Sequence, residues 1–246
     1  MSRGGQFAWT TAIQAQENLK AAGLQPRLLV GDAAAASLGG PFDRIIATCA
    51  IETVPDQWIT QLQVGGRLVA PCTLGAALLV LDKTSEHTLE GRVDEAPVSF
   101  MAMRDTPNIR PADGSEYLIG TGSQPPTRTI SAVDPEVLRD NDFRLWLAIC
   151  HPHLRIALSY THGTGTSLVY TRDHSASIDH QHIPGGWNVT QDEGRLWATI
   201  EAGWAEFDAA ARPRRDLLRA SVTQGGGGIR FTVGGRAVAD TPATPP

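Results

Sequence analysis

Residues 28–72 read LLVGDAAAASLGGPFDRIIATCAIETVPDQWITQLQVGGRLVAPC, and this stretch decides the fold. Three apolar runs alternate with segments rich in glycine, alanine and proline, and they lie at residues 27–30, 43–50 and 67–72. Continuous apolar runs are typical of strands covered on both faces of a parallel sheet. Pro55 fits the first position of a helix through Gln63, with Gly65 and Gly66 at its exit. The alternation of strand and helix predicts βαβ units and therefore an α/β fold.

The segments on either side of this stretch extend the pattern. Residues 11–22 have helical spacing of apolar side chains, and Gly23 fits a helix-ending position. After Cys72, residues 76–83 and 91–104 are predicted strands joined by a polar turn. We expect these two strands to form an antiparallel edge on the parallel sheet.

The C-terminal half has a different pattern, which predicts an α+β module. Asp134 fits a helix N-cap with Pro135 in the first turn. Further predicted elements are helices at 134–150 and 193–210, and strands at 154–160, 167–171, 216–223 and 229–233. The predicted division is a partial domain at 1–105, a linker rich in Pro, Gly, Ser and Thr at 106–129, an accessory domain at 130–240 and a disordered tail at 241–246.

Composition narrows the class of protein. The chain has 246 residues and a net charge of -5, so we expect no nucleic-acid partner and no anionic membrane surface. It has no apolar run of transmembrane length. Its three widely spaced cysteines fit a reducing compartment better than a disulfide framework, which favours the cytoplasm.

Polar and small residues follow the predicted strands at their carboxyl ends, where ligands bind in open α/β sheets. Asp32 comes after Gly31, and a carboxylate there can accept a hydrogen bond from an amine such as that of adenine. The alternative is an aspartate that only caps the next turn. The segment Thr48-Cys49-Ala50 ends the second predicted strand, and Pro71-Cys72 ends the third. A structural role suits Cys49 better than a nucleophilic one.

Two H-x-H pairs are the remaining candidates for chemistry. His151 with His153 and His180 with His182 would each put two imidazoles on one face of a strand, as a metal site requires. Such pairs are more often solvated, so we predict no metal. The glycines at 225–228 lack a following Lys-Ser/Thr and predict a hairpin loop, not a phosphate site.

Several elements in order resemble the protein-L-isoaspartate O-methyltransferase family over residues 10–104. They are GD, FDRII-x-T-x-A, VP-x-x-W, Q-L-x-x-GGRLV-x-P and the closing VSFMAMR. The resemblance implies a Rossmann-like methyltransferase sheet that binds S-adenosylmethionine and methylates an aspartyl or isoaspartyl carboxylate of a protein or peptide. It implies that Gly31 and Asp32 contact the adenine side of the cofactor. Thr48, Cys49 and Ala50 would line the cleft, and no catalytic residue is assigned.

The sequence also departs from that family's pattern. The signature acidic-x-G-x-G-x-G should precede Thr11, where only MSRGGQFAW stands, and the acidic residue for the ribose is missing. Ala33 follows Asp32 where the family has glycine. We therefore expect an incomplete sheet without its first strands, explained by a late start codon, a frameshift or a decayed gene. Each lost charge-assisted hydrogen bond costs about 1.5–3 kcal/mol, so cofactor affinity should fall to about millimolar.

The C-terminal half resembles the extension of actinobacterial relatives that methylate an aspartate in a ribosomally made peptide. This resemblance implies that the module binds a leader or core peptide. Two functions follow from the sequence. One is a carboxyl O-methyltransferase impaired by the missing loop, and the other is a non-catalytic peptide-binding remnant or partner protein.

Overall fold

The computed structural model of the chain describes residues 3–103, 125–158 and 165–240. The chain divides into two compact units, residues 1–39 and 40–246. Most of the predicted linker and all of the predicted disordered tail lie outside the described residues. No helix among the described residues is long and apolar enough to cross a membrane.

The described part of the chain contains four α-helices, twelve strands and two 3₁₀ helices, which are Pro135–Arg139 and Arg215–Leu217. The α-helices are α1 Arg3–Ala21, α2 Asp56–Gln61, α3 Asn141–Cys150 and α4 Leu196–Ala209. The strands are β1 Phe42–Ile46, β2 Leu62–Pro71, β3 Leu78–Lys83, β4 Thr88–Val93, β5 Thr127–Ser131, β6 Arg155–Ala157, β7 Thr166–Tyr170, β8 Ser175–Ile183, β9 Gly186–Gln191, β10 Arg219–Thr223, β11 Arg230–Val233 and β12 Arg236–Asp240. The predicted α/β class is confirmed.

The first unit contains α1 and the segment that follows it. The amide of Leu24 donates to the carbonyl of Leu19 at 2.8 Å, and the amide of Gly23 donates to that of Lys20 at 3.0 Å. This pair of hydrogen bonds is a Schellman ending, and Gly23 adopts the positive φ of 76° that it requires. The predicted helix end at Gly23 is therefore confirmed.

The predicted strand at residues 27–30 is wrong. These residues are extended but belong to neither sheet, and Leu29 is 53% exposed. A strand needs backbone partners for its amide and carbonyl groups. Residues 3–21 form a helix and not a neighbouring strand, so the run at 27–30 has no edge in its own unit to pair with.

The second unit holds a seven-stranded sheet with strand order β1-β2-β3-β4-β10-β11-β12. Strands β1 and β2 are parallel and are joined through α2, which makes one βαβ unit. The other neighbours in the sheet are antiparallel. The predicted βαβ unit and antiparallel edge are confirmed, but parallel pairing is confined to β1 and β2 among the described strands.

The two glycines predicted to form a turn between α2 and the next strand lie inside β2. Gly65 has a positive φ of 81°, and the register of β1 against β2 jumps from Leu62 to Arg67 at this point. The glycines thus form a bulge, because α2 runs directly into β2 at Leu62. The predicted exit from α2 was placed too late.

The two faces of this sheet differ, which corrects the expectation that both are covered. One face contributes fully buried side chains to a core, including Leu68, Leu79, Leu81, Leu89 and Phe231. The opposite face carries a row of paired positions across six strands: Arg44, Arg67, Asp82, Glu90, Ser221 and Arg230. Alternation along each strand therefore leaves one polar face.

Buried Lys83 connects the sheet to α2. Its Nζ donates to the carbonyl of Ile59 at 2.6 Å and to that of Leu62 at 2.7 Å. These carbonyl groups belong to the last turn of α2 and the residue after it, where a helix leaves acceptors without partners. Lys83 thus caps α2 in the way that a cation at a helix C-terminus can.

The C-terminal strands β10 to β12 belong to the first sheet because β10 pairs with β4 over residues 219–223. Residues on both sides of the predicted linker therefore share one sheet. The division into a partial domain at 1–105 and an accessory domain at 130–240 stays a prediction about folding units. Main-chain hydrogen bonds between β4 and β10 join the two predicted domains.

A second sheet has the order β5-β9-β8-β7-β6 and is antiparallel throughout. The sequence did not predict β5, β8 or β9, and the predicted linker at 106–129 overlaps β5 at residues 127–129. Asp134 is an N-cap as predicted, but the predicted helix at 134–150 is divided into a 3₁₀ helix at Pro135–Arg139 and α3, which Asp140 caps. Helix α3 joins the two cores, since Leu145 packs in the first core and Leu147 in the second.

Candidate functional site

The carboxyl ends of β1 and β2 lie side by side. Ile51 pairs with Cys72 in a parallel bridge. The amide of Ile51 donates to the carbonyl of Pro71 at 2.8 Å, and the amide of Thr73 donates to that of Ile51 at 2.9 Å. The structure thus brings together the two strand ends at which the sequence predicts ligand binding in the second unit. We call residues 48–52 and 72–73 the strand-end site.

The three predicted lining residues at this site differ in exposure. Thr48 is exposed, Cys49 is half-buried and Ala50 is 4% exposed. The amide of Ala50 donates to the carbonyl of Met101 at 2.8 Å, and the amide of Met103 donates to that of Ala50 at 2.8 Å. Residues 101–103 therefore cover the edge of the chain at Ala50. Thr48 and Cys49 stay accessible to a ligand.

Two apolar side chains beside this edge were not predicted as site residues. Met101 is 84% exposed and Phe100 is 47% exposed. Apolar surface next to a strand-end cleft can pack against the flat face of a ligand ring. The closing VSFMAMR is the signal for these side chains in the sequence. Its position next to Ala50 depends on a bridge between Ala50 and Ala102, which are 52 residues apart in sequence.

Gly31 and Asp32 belong to the first unit. One carboxylate oxygen of Asp32 accepts a hydrogen bond from the amide of Ala34 at 2.9 Å, and the Asp32 carbonyl accepts one from Ala36 at 2.9 Å. Asp32 therefore caps the turn that follows it, which is the alternative that the sequence left open. Its exposed carboxylate has further lone pairs, so the predicted adenine contact stays a prediction.

A buried thiol and a carboxylate shape the electrostatics of the strand-end site. Burial raises the pKa of the Cys72 thiol to about 11, and the charge of Glu52 adds to the rise. Cys72 is therefore a neutral thiol at pH 7 and not a nucleophile. Burial and the charge of Glu206 also raise the pKa of the Cys150 thiol to about 11, so this thiol is neutral at pH 7 as well. All three cysteines are free.

The histidine pairs do not form metal sites in the described part of the chain. His151 and His153 flank a turn after α3, and His182 stacks edge-on against Trp187 with ring centroids 4.7 Å apart. His180 points inward and is 6% exposed. No group of three or more His, Cys, Asp and Glu suited to a metal occurs among residues 3–103, 125–158 and 165–240.

His180 instead joins a chain of polar groups that resembles a catalytic triad. Its Nε2 lies 2.8 Å from Oγ of Ser167, and its Nδ1 lies 3.3 Å from a carboxylate oxygen of Glu136. Ser167 has no exposed surface, so its hydroxyl cannot reach a substrate. The Ser167 hydroxyl and the His180 Nε2 therefore satisfy each other's hydrogen bonding, and the pair does not supply a nucleophile.

The comparisons concern the N-terminal part of the chain. Residues 10–107 match the model of the family described as Protein-L-isoaspartate(D-aspartate) O-methyltransferase. A protein-L-isoaspartate O-methyltransferase of Stenotrophomonas maltophilia is 38% identical over 37% of this chain and 41% of its own. One from Chromobacterium violaceum is 42% identical over the same shares. The chain thus spans about two fifths of the length of these relatives.

A solved structure of a protein-L-isoaspartate O-methyltransferase aligns with 91% of this chain and 64% of its own, at 16% identity and a TM-score of 0.40. A likeness at that level does not establish a shared fold. The sequence comparisons cover α1 from Thr10 onward, the βαβ unit and the hairpin of β3 and β4. Residues 10–107 of this chain are therefore similar to the protein-L-isoaspartate O-methyltransferase family.

Proposed function

We propose that this chain carries part of the cofactor and acceptor sites of an S-adenosylmethionine-dependent carboxyl O-methyltransferase. The acceptor would be an aspartyl or isoaspartyl carboxylate of a protein or peptide. The observation that carries this proposal is the strand-end site at Ile51 and Cys72, which lies within the segment matched to the family. The three free cysteines suit a cytoplasmic protein.

S-adenosylmethionine, when bound, supplies the methyl group that the acceptor carboxylate takes up. The described residues include candidates for contacts to part of S-adenosylmethionine. Asp32 has an exposed carboxylate that can accept from the adenine amine, and Thr48 offers an exposed hydroxyl. Cys49 and Ala50 would complete the lining. The protein's contribution to an in-line transfer is to position the reactants and exclude water, so no side chain needs to act as a nucleophile.

The acceptor carboxylate meets an unfavourable charge at the strand-end site. Glu52 is half-buried there and lies close enough to Cys72 for its charge to raise the pKa of that thiol. A second carboxylate would be repelled unless hydrogen-bond donors or cations faced it. The family's glycine-rich signature does not occur within residues 1–246. We therefore expect the chain by itself to bind cofactor at about millimolar strength.

A titration of S-adenosylhomocysteine tests this proposal in the purified full chain. Ligand-observed NMR detects millimolar binding, and Asp32→Ala should weaken it at least tenfold because a charge-assisted hydrogen bond is lost. Asp43→Ala is the matched control, since Asp43 is another exposed aspartate, located on β1. Binding that is equally strong in both variants, or absent at 10 mM (roughly 3 kcal/mol of affinity) in a folded sample, would contradict the proposal.

A further inference from the structure

Arg215 is a buried arginine that joins two parts of the second unit. It is 3% exposed. Its guanidinium donates to the carbonyl of Gly75 at 3.1 Å, to that of Ala76 at 3.3 Å and to that of Asn141 at 2.6 Å. Its Nε also donates to a carboxylate oxygen of Asp142 at 3.3 Å. The planar fork of one side chain thus holds the loop between β2 and β3 against the start of α3.

This loop has a backbone that needs support. Gly75 and Ala76 are consecutive residues with positive φ, 53° and 55°. Such a conformation is unfavourable for alanine and persists only where surrounding contacts impose it. Helix α3 packs tightly here, because a Cβ on Gly75 would lie 2.4 Å from the Cα of Leu145. The amide of Val98 also donates to the Ala76 carbonyl at 2.9 Å.

The loop begins at the strand-end site. The amide of Cys72 donates to the carbonyl of Ala77 at 2.7 Å, which closes the loop on itself. Thr73 is exposed and bonds to Ile51 at the end of the neighbouring chain segment. The position of residues 73–77 therefore fixes one side of the strand-end site.

We propose that Arg215 is a positioning residue that holds residues 73–77 in place and so makes the shape of the strand-end site depend on α3 and the C-terminal region. Describing these residues as part of a cofactor or acceptor site rests on the proposed function. The clamp itself is a property of the folded chain. Its test therefore contains no cofactor and no substrate.

Cys72 provides the probe. Its sulfur faces the amides of Thr73 and Leu74, and its side chain is buried, so a thiol reagent can reach it only when the loop opens. The experiment uses the full chain with Cys49→Ser and Cys150→Ser, which leaves Cys72 as the single thiol. The rate of labelling by a disulfide reagent is measured together with the free energy of unfolding in urea.

Arg215→Met should speed Cys72 labelling at least tenfold beyond the increase that its loss of global stability explains. Lys83→Met is the matched control, since Lys83 is another buried cation that binds main-chain carbonyl groups. In Lys83→Met, the rate of Cys72 labelling should change only as much as the change in the free energy of unfolding explains. Arg215→Lys should give an intermediate rate, because lysine keeps the charge but not the planar fork.

The proposal would be overturned if the loss of global stability fully explained the labelling rate of Cys72 in Arg215→Met, as we expect it to in Lys83→Met. If Arg215→Met does not fold, Asp142→Asn replaces it. That variant removes the negative charge of one partner of the guanidinium, which weakens this hydrogen bond, and keeps the buried cation. It should also label faster than its stability explains, and an unchanged rate would contradict the clamp. Neither result depends on whether the chain binds S-adenosylhomocysteine.

Discussion

Residues 27–30 and 43–46 are both short apolar runs, but only the second forms a strand. In β1, Arg44, Ile45 and Ile46 pair with consecutive residues of β2. In the run at 27–30, Leu29 is 53% exposed and lies outside both sheets. The comparison shows that an apolar run specifies only a tendency to be extended. Whether it becomes a strand depends on a neighbouring edge, which is a non-local property.

The largest expected contrast is between a leucine in β2 and one in the unpaired run. Leu68 has no exposed surface, so Leu68→Ala should reduce the free energy of unfolding by about 2–5 kcal/mol. Leu29→Ala should change it by less than about 0.5 kcal/mol, because Leu29 is already largely in contact with water. Urea unfolding followed by circular dichroism measures both. A loss above about 2 kcal/mol for Leu29→Ala would mean that the run is buried in solution.

Two glycines give a contrast of intermediate size. Gly65 forms the bulge in β2 with a φ of 81°, so Gly65→Ala should cost about 1–2 kcal/mol through backbone strain alone. A Cβ at this position would meet no atom within 4 Å. A Cβ on Gly31 would also meet no atom within 4 Å, and Gly31 does not have a positive φ. Gly31→Ala should therefore leave the free energy of unfolding nearly unchanged. If the two variants shifted the urea midpoint equally, Gly65 would not have the positive φ that the bulge requires.

The smallest expected effect is on the polar face of the first sheet. Arg67 donates to both carboxylate oxygens of Asp82, at 2.7 and 2.9 Å, and this hydrogen bonding lowers the pKa of Asp82. A carboxylate with a lowered pKa contributes stability above its unfolded pKa of about 4, and the contribution is lost as the pH falls through the folded value. Both side chains are largely exposed, so the contribution is small.

Unfolding at pH 7 and pH 3 measures this contribution. Asp82→Asn should lose a little stability at pH 7 and less at pH 3. Glu90→Gln is the control, because Glu90 occupies the paired position on β4. A pH dependence that is the same in Asp82→Asn as in the unchanged chain would show that the ion pair contributes nothing.

Local chemistry made part of the fold predictable. Gly23 ends α1, and Asp134 caps the 3₁₀ turn, through hydrogen bonds within six residues. The order of β1, α2 and β2 also follows from a local alternation of patterns. The pairing of β10 with β4 joins residues more than 120 apart, and nothing in either segment specifies the other. The polar face of the sheet was missed for the same reason, since the apolar runs were assigned to strands covered on both sides.

The candidate site divides in the same way. Parallel strands bring their carboxyl ends together, so the proximity of residues 48–50 to Cys72 could be predicted. The coverage of Ala50 by residues 101–103 could not, because the intervening hairpin of β3 and β4 determines it. Arg215 lies about 140 residues from the loop that it binds, and its burial has no local signal.

We propose that the strand-end site is part of a methyltransferase cleft and that this chain by itself binds the cofactor weakly. Backbone amide shifts of the ¹⁵N-labelled full chain, recorded during a titration of S-adenosylhomocysteine, test it most directly. We expect shifts at Asp32 and at residues 48–50, with a dissociation constant of about 1 mM or weaker. Shifts confined to the second sheet, or micromolar binding, would contradict this account.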